Sequence, residues 1–404
     1  MNRKTILLFF LAICVSCKEP VKSKHDGINN INSDQVRNTD AITSPVNHKE
    51  IILKADEFLN QRPVPITNFS NERSAGSIND FYSEGDYWWE NPDDPEGPYI
   101  RRDGLSNPDN FVQHRQAMRN LNLWVSTLTA AYKISKDRKY AQHALIHLEA
   151  FFLDHNTAMN PSLLYAQAIK GRVTGRGIGI IDTIHLIEVA QSIRVLAELD
   201  FLAGEKLIGL KNWFNQYADW LTTHPYGLDE KDHGNNHSTW WAAQVASFAR
   251  LADREDLINI ARSQFKKLLL TQMDEDGRFP EELSRTKPYN YTLFNLEGFT
   301  ILSLIASTKE DNLWHYEKEH KSLLKGWKFM EPFIKDKSSW IKPPDVQYFD
   351  ELPVQSAGFL FAANAYENES FLETWNSIDK VPESMEIKRN HPILHHILWT
   401  ENIM

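Results

Sequence analysis

HGNNHSTWWAAQVASFARLA, residues 233–252, is the stretch from which the fold is read. From His237 to Ala252 the apolar side chains recur at i, i+3 and i+4, the period of a helix with one buried face. Asn235 and Asn236 stand in cap position, where a short polar side chain accepts the first free backbone N–H groups. The same period recurs on both sides. It runs over 112–135, 140–153, 181–199 and 206–222 upstream, and over 257–273, 291–306 and 314–333 downstream. The connections are short and carry Asp, Asn, Gly or Pro. Strand-like alternation is scarce. A train of amphipathic helices with no strands between them predicts an all-α protein of stacked helical hairpins. Closed into a ring, such hairpins make an α/α toroid; left open, they make a solenoid. No clean repeat favours a regular solenoid, and periodicity alone does not decide closure.

The chain has 404 residues, with 42% hydrophobic and 24% charged, the balance of a globular protein with a large core. A net charge of −10 argues against nucleic acid as a partner, since a basic footprint is expected there. A polyanionic ligand would need a cleft that is locally basic within an acidic protein. Arg101, Arg102, Lys170, Arg172 and Arg176 lie in glycine-containing segments and can supply that patch; the plainer reading is ordinary surface charge.

The cysteines are Cys14 and Cys17, inside MNRKTILLFFLAICVSC. A basic start and an apolar run too short to span a membrane read as an export signal. The run resembles a bacterial lipoprotein signal over 1–17, with Cys17 as the lipidated residue; the alternative is an ordinary cleaved signal peptide. Residues 18–48 are polar and without apolar period, and are expected to be a flexible tether. The expected result is an exported protein whose membrane contact is a lipid anchor, periplasmic or at the cell surface. Residues 49–404 are assigned to the helical domain. Within it, 66–110 is rich in Gly, Pro, Asn, Asp and aromatics and reads as a long ordered loop.

A second stretch, RFPEELSRTKPYNYTLFNLEG (278–298), places a guanidinium, Arg285, and a phenol, Tyr291, at the entry to a helix. Together with Asn-Asn-His followed by aromatics, this resembles the alginate lyase family of polysaccharide lyases, which fold as an α/α toroid. The resemblance extends to FYSEGDYWWENPDDPEGPYIRRDGLSNPDNF (81–111), AMNPSLLYAQAIKGRVTGRGIGIIDT (158–183) and DVQYFDELP (345–353), and covers about residues 70 to 360 in order. It implies a toroid closed as an incomplete α/α barrel, and β-elimination on a β-1,4-linked polyuronate, mannuronate-rich alginate or glucuronan. The family's Arg-to-Tyr spacing is one residue longer, so Tyr289 stays open as an alternative to Tyr291.

The chemistry fits those residue types. Elimination needs the uronate carboxylate neutralised, a base for the C-5 proton and an acid for O-4. Asn236 can donate its amide to the carboxylate at a helix start whose dipole favours anions. Tyr291, with a phenol near ~10 when free, is a natural donor, and Arg285 beside it is expected to lower that value. On D-mannuronate or D-glucuronate the proton and O-4 leave from one face, and one tyrosine can serve both steps. On L-guluronate they leave from opposite faces, and His237 would be the base. Asn236, His237, Arg285 and Tyr291 are therefore the expected catalytic set. Asn235, Trp240, Tyr289, Arg101, Arg102, Arg172, Arg176 and Trp88 are the expected substrate contacts, with Trp240 sharing the helical face of His237. Each has a plainer reading as a cap, core aromatic or surface charge. No cofactor is expected. His143 and His147 have metal-pair spacing but no third ligand nearby in sequence. The oligomeric state stays open. Two rival readings remain. One is an α/α-toroid glycoside hydrolase using carboxylates among Asp274, Asp276, Glu281 and Glu282. The other is a glycan-binding lipoprotein without catalysis.

Overall fold

The computed structural model describes residues 47–400. The expected signal segment with Cys17, and nearly all of the expected tether, lie outside them. Among the described residues, α1 (His48–Phe58) is capped by Asn47 and so begins within the stretch expected as tether. The remaining helices are α2 (Gln113–Ser135), α3 (Arg138–Phe152), α4 (Leu186–Glu198), α5 (Gly204–Thr223), α6 (Pro225–Lys231), α7 (Asn236–Leu251), α8 (Glu255–Gln272), α9 (Pro280–Leu283), α10 (Pro288–Ala306), α11 (Leu323–Lys335), α12 (Ala357–Ala365), α13 (Glu369–Ser377) and α14 (Met385–Lys388).

α2 packs on α3, α7 on α8, α10 on α11 and α12 on α13, while α2, α4, α7, α10 and α12 pack side by side in that order. These five form an inner wall with their hairpin partners outside, the α/α toroid. Inner-wall helices are buried on most sides, which is why α10 (PYNYTLFNLEGFTILSLIA) is apolar almost all round rather than striped. α7 and α10 approach closely at Gly298: a Cβ there would meet Thr239 Cγ2 at 3.1 Å and Trp240 Cε2 at 3.2 Å. That approach sets the separation of the two helix starts that carry the candidate residues.

The C-terminal segment after α14 completes the ring from inside. Asn122 on α2 donates to the Pro392 carbonyl at 2.7 Å, and Gln191 on α4 to that of Leu398 at 2.7 Å. Buried Glu188 accepts the backbone N–H groups of Leu394 and His395 at 2.7 and 2.9 Å. Burial pushes its carboxyl up to about 7. On the far side the Phe361 ring of α12 meets Trp399 at 6.5 Å.

Three expected segments differ. Residues 66–110 hold short strands: β1 (Tyr82–Glu84), β2 (Trp88–Trp89) and β3 (Ile100–Arg101). β1 pairs in parallel with β4 (Tyr165–Ala168), and β2 with β3 as a hairpin. The helix expected from 181 starts at Leu186, after a 3-10 stretch over Gly177–Thr183. The helix expected from 314 starts at Leu323, because Glu319 and His320 take left-handed φ of 54° and 58° and turn a small hairpin, β5 (Glu317–Lys318) with β6 (Lys321–Ser322). No described helix is long and apolar enough to cross a membrane.

Candidate active site

The starts of α7 and α10 open into one cleft of about 290 Å³, lined also by the β2–β3 hairpin and the C-terminal segment. At the α7 start, Asn235 accepts from the His237 backbone N–H at 3.1 Å, as a cap does. His237 Nδ1 lies 2.8 Å from Glu230, which is fully buried on α6. Burial pushes the Glu230 carboxyl up, although the imidazole beside it pulls the other way. With Nδ1 engaged, Nε2 is the nitrogen left for the cleft. Asn236 is fixed by Glu282 on α9, which accepts its backbone N–H at 2.7 Å and its amide at 2.9 and 3.0 Å. One amide N–H spans both Glu282 oxygens, because the two N–H bonds diverge too widely for both to reach one carboxylate. The second N–H is left as the donor that the expectation needs. Burial pushes Glu282 up.

α10 begins with Pro288 at its first position, and its free N–H groups are capped from afar. Asp345, the first residue of DVQYFDELP, accepts from Tyr289 N at 2.9 Å and Asn290 N at 3.0 Å. One helical turn then presents Tyr291 to the cleft. Its hydroxyl is 2.7 Å from that of Tyr87, and the Arg285 guanidinium lies over its ring at 4.6 Å. Arg285 is anchored by Asp103 at 3.1 Å, which also accepts from Arg101 at 2.6 Å. The Tyr291 phenol is raised well above its usual value. Burial and Tyr87 outweigh Arg285 and Arg389, which act in the opposite sense. The expected lowering by Arg285 is real in sign but is overcome, and Tyr291 is a protonated donor at neutral pH.

The structure places seven of the expected residues on the cleft: Asn236, His237, Arg285, Tyr291, Arg101, Arg176 and Trp88. The others lie elsewhere. Trp240 is wholly buried, stacked on Phe294 at 4.9 Å with its N–H donated to the Phe294 carbonyl, so it offers no face to a sugar. It shares a helical side with His237, but one turn in, that side is core. Tyr289 is also wholly buried, between Trp340 and Phe349, and donates to the Phe333 carbonyl at 3.1 Å. Asn235 serves as the cap. Arg102 lies over Trp89 and Arg172 over Trp88, outside the cleft lining.

Sequence reading missed the inner half of the cleft. Arg115, Arg119, Asp182, His185 and Arg389 line it together with Asp86. Arg115 pairs with Asp86 and with Asp182, the latter at 2.9 Å. The cleft thus holds six guanidiniums (Arg101, Arg115, Arg119, Arg176, Arg285, Arg389) against the carboxylates Asp86 and Asp182. This is the locally basic cleft that an acidic protein needs for an anionic ligand. The carboxylates named for a hydrolase are not paired across the cleft. Asp274 and Asp276 both bind Arg278, Glu281 is exposed, and Glu282 lies under Asn236. His143 faces the Gln61 carbonyl at 2.8 Å, and His147 is buried against Trp124. Among the described residues no group of three or more His, Cys, Asp or Glu side chains is placed to hold a metal ion.

A sequence model of the alginate lyase family matches residues 66–340. The alginate lyase of Pseudomonas syringae pv. tomato is 32% identical over 120 residues, 29% of this chain and 30% of that protein. That of Pseudomonas aeruginosa strain LESB58 is 27% identical over 154 residues, 33% of this chain and 41% of that protein. The matched stretches therefore span well under half the length of these curated relatives. Among solved structures, an alginate lyase from Bacteroides ovatus superposes with a TM-score of 0.73 at 28% identity, covering 87% of this chain and 92% of that one. Alginate lyase A1-III from Sphingomonas species A1 shares the fold, with a TM-score of 0.52 at 15% identity, covering 82% and 90%.

Proposed function

The chain belongs to the alginate lyase family, and from that premise we propose that it is a polysaccharide lyase cleaving a β-1,4-linked polyuronate by β-elimination, with mannuronate-rich alginate or glucuronan as substrate. The observation that carries the reading is a protonated phenol, Tyr291, packed under Arg285 in a cleft that also presents His237 and an excess of guanidiniums. Arg285 binds the carboxylate of the residue to be cleaved and stabilises the charge that builds on it. The C-5–H bond breaks and its electron pair becomes the C4–C5 double bond. The C4–O4 bond breaks, and O-4 receives a proton from Tyr291.

On mannuronate or glucuronate, Tyr291 takes the C-5 proton as well. That step needs the phenolate: the resting proton first leaves through Tyr87 to solvent, at a cost set by burial and Tyr87. Arg285 and Arg389, which act to lower the phenol, reduce that cost. On guluronate, His237 Nε2 takes the proton from the opposite face, with Glu230 behind Nδ1. A hydrolase would need one cleft carboxyl kept protonated. Asp86 and Asp182 are both tied to Arg115, and Asp86 is lowered to about 2 by Arg115 and Arg389 in spite of its burial.

Incubation with polymannuronate, glucuronan and polyguluronate, followed in the near ultraviolet, tests this. New absorbance from an unsaturated uronate is expected, faster on the first two. Cleavage of polyguluronate alone would move the base role to His237. No absorbance on any of the three would end the lyase reading and favour a glycan-binding role. Export through a lipid on Cys17 belongs to the same proposal. Cys17→Ala should release the protein from the membrane fraction, and unchanged fractionation would contradict it.

A further inference from the structure

The inner end of the cleft holds a positive charge with no counter-charge. α2 presents Arg115 and, one turn on, Arg119 to the same side. Arg115 is matched by Asp86 and Asp182. Arg389 pairs with Asp86 at 2.9 Å and Glu386 at 2.8 Å, and Lys287 shares Glu386 at 3.0 Å. Arg119 has no carboxylate within ion-pair reach among the described residues. Its side chain donates to Gln116 Oε1 at 3.2 Å, and its buried Nε has no partner. Four cations thus share three carboxylates, and the unmatched charge sits on Arg119.

His185, just before α4, lines the same end. It is buried, and its Nε2 also lacks a partner. Burial, with Arg119 beside it, holds that imidazole down to about 3, so it adds no second charge. An arginine cannot escape burial by losing its proton. A buried unpaired charge is costly, and buried polar atoms left unsatisfied are uncommon. Here the partnerless Nε of a half-buried Arg119 and the partnerless Nε2 of a buried His185 adjoin in a cleft open to ligand, and the planar guanidinium fork matches a carboxylate.

We infer that Arg119 and His185 form a second carboxylate subsite, which holds a uronate residue next to the one that is cleaved. Arg119 takes its carboxylate and His185 Nε2 a ring hydroxyl. The inference rests on the polyuronate reading above, and adds where a neighbouring sugar is gripped.

The test uses the full chain carrying Tyr291→Phe, so that substrate binds without turning over. Binding of a mannuronate tetrasaccharide is measured by titration calorimetry with and without Arg119→Gln, at low and moderate salt. The expected result is about 10- to 100-fold weaker binding and a shallower salt dependence, the loss of one charge-assisted contact. In the otherwise native enzyme, Arg119→Gln should raise KM by a similar factor and leave kcat within about threefold. Arg119→Lys should restore part of the binding. The melting temperature should not fall, because an unmatched, half-buried charge is removed.

Unchanged affinity, on a substrate that the native enzyme cleaves, would overturn the subsite and leave the lyase reading intact. A lower melting temperature with kcat and KM both impaired would reduce Arg119 to a structural part. If the native protein neither cleaves nor binds any polyuronate, both proposals fall.

Discussion

Burial and the Tyr87 hydroxyl hold the Tyr291 phenol in its protonated form against Arg285 and Arg389. A positioned acid/base typically contributes ~10²- to 10⁴-fold, so Tyr291→Phe should lower kcat by at least that range with the fold intact. Tyr289→Phe removes a buried hydrogen bond to the Phe333 carbonyl instead. It should cost about 1 kcal/mol of stability and little activity; paired melting curves and initial rates separate the two tyrosines. Spacing alone left both open, and helix phase assigns them: two residues apart on α10, one faces the cleft and the other the core. Asn236 and Glu282 make a second residue-scale case. Gln at 282 keeps an acceptor for the Asn236 backbone N–H, and its own amide can donate to the Asn236 oxygen, which turns the N–H groups towards the cleft. Glu282→Gln should therefore keep activity within about threefold. Glu282→Ala strands buried polar groups, at about 1–3 kcal/mol of stability, and should lose activity. Equal damage from both would mean that the Glu282 charge itself is required.

At the scale of elements, the two helix starts that carry the candidate residues are set by devices far apart in sequence. Gly298 lets α10 close on α7, and Asp345 caps α10 from a loop 55 and 56 residues beyond the N–H groups it binds. Asp345→Ala should cost about 1–2 kcal/mol, the value of a lost cap, and should lower turnover by loosening the turn that carries Tyr291. Asp345→Asn should be milder, because Asn caps as well and burial already holds the Asp345 carboxyl up to about 6. Rates and melting temperatures of the two variants check this; equal loss would show that the charge, rather than the cap, is needed. Most helices were legible because an inner or hairpin helix carries its period in sequence. The hairpin at 317–322 was not, since an apolar period can run through a turn that two left-handed residues impose. Trp240 shows the same limit at one position: periodicity gives the side of a helix, and depth in the ring decides whether that side meets solvent.

The whole molecule depends on contacts that periodicity does not encode. Ring closure runs through the C-terminal segment, which touches α2 some 270 residues away in sequence. Arg389 reaches the cleft from that segment, and nothing in its local sequence distinguishes it from a surface arginine. An anionic ligand on an acidic protein required a basic cleft, but Arg115 and Arg119 sit in the first two turns of α2 without a motif. Buried histidines add a pH dependence to the assembly. His147 lies in the core with neither ring nitrogen paired, and burial, with His143 nearby, holds it at about 4 against 6.5 when free. A depressed folded value means that its contribution is fully present above 6.5 and is lost as pH falls towards 4. His147→Leu, far from the cleft, should leave activity unchanged. Its stability relative to the native protein should improve by on the order of 1–3 kcal/mol as pH falls across that window. Parallel unfolding curves at pH about 7 and 4.5 measure the difference, and identical pH slopes would remove His147 as a source of acid sensitivity.

The central claim is that the glycosidic bond is broken by elimination rather than by water. Mass spectrometry of mannuronate oligomers digested in heavy-oxygen water tests it directly. The account predicts that the two fragments together weigh what the substrate weighed, that the new non-reducing end carries the double bond, and that no heavy oxygen enters either fragment at cleavage. Fragments heavier by one water, with heavy oxygen at the new reducing end beyond simple exchange, would contradict it.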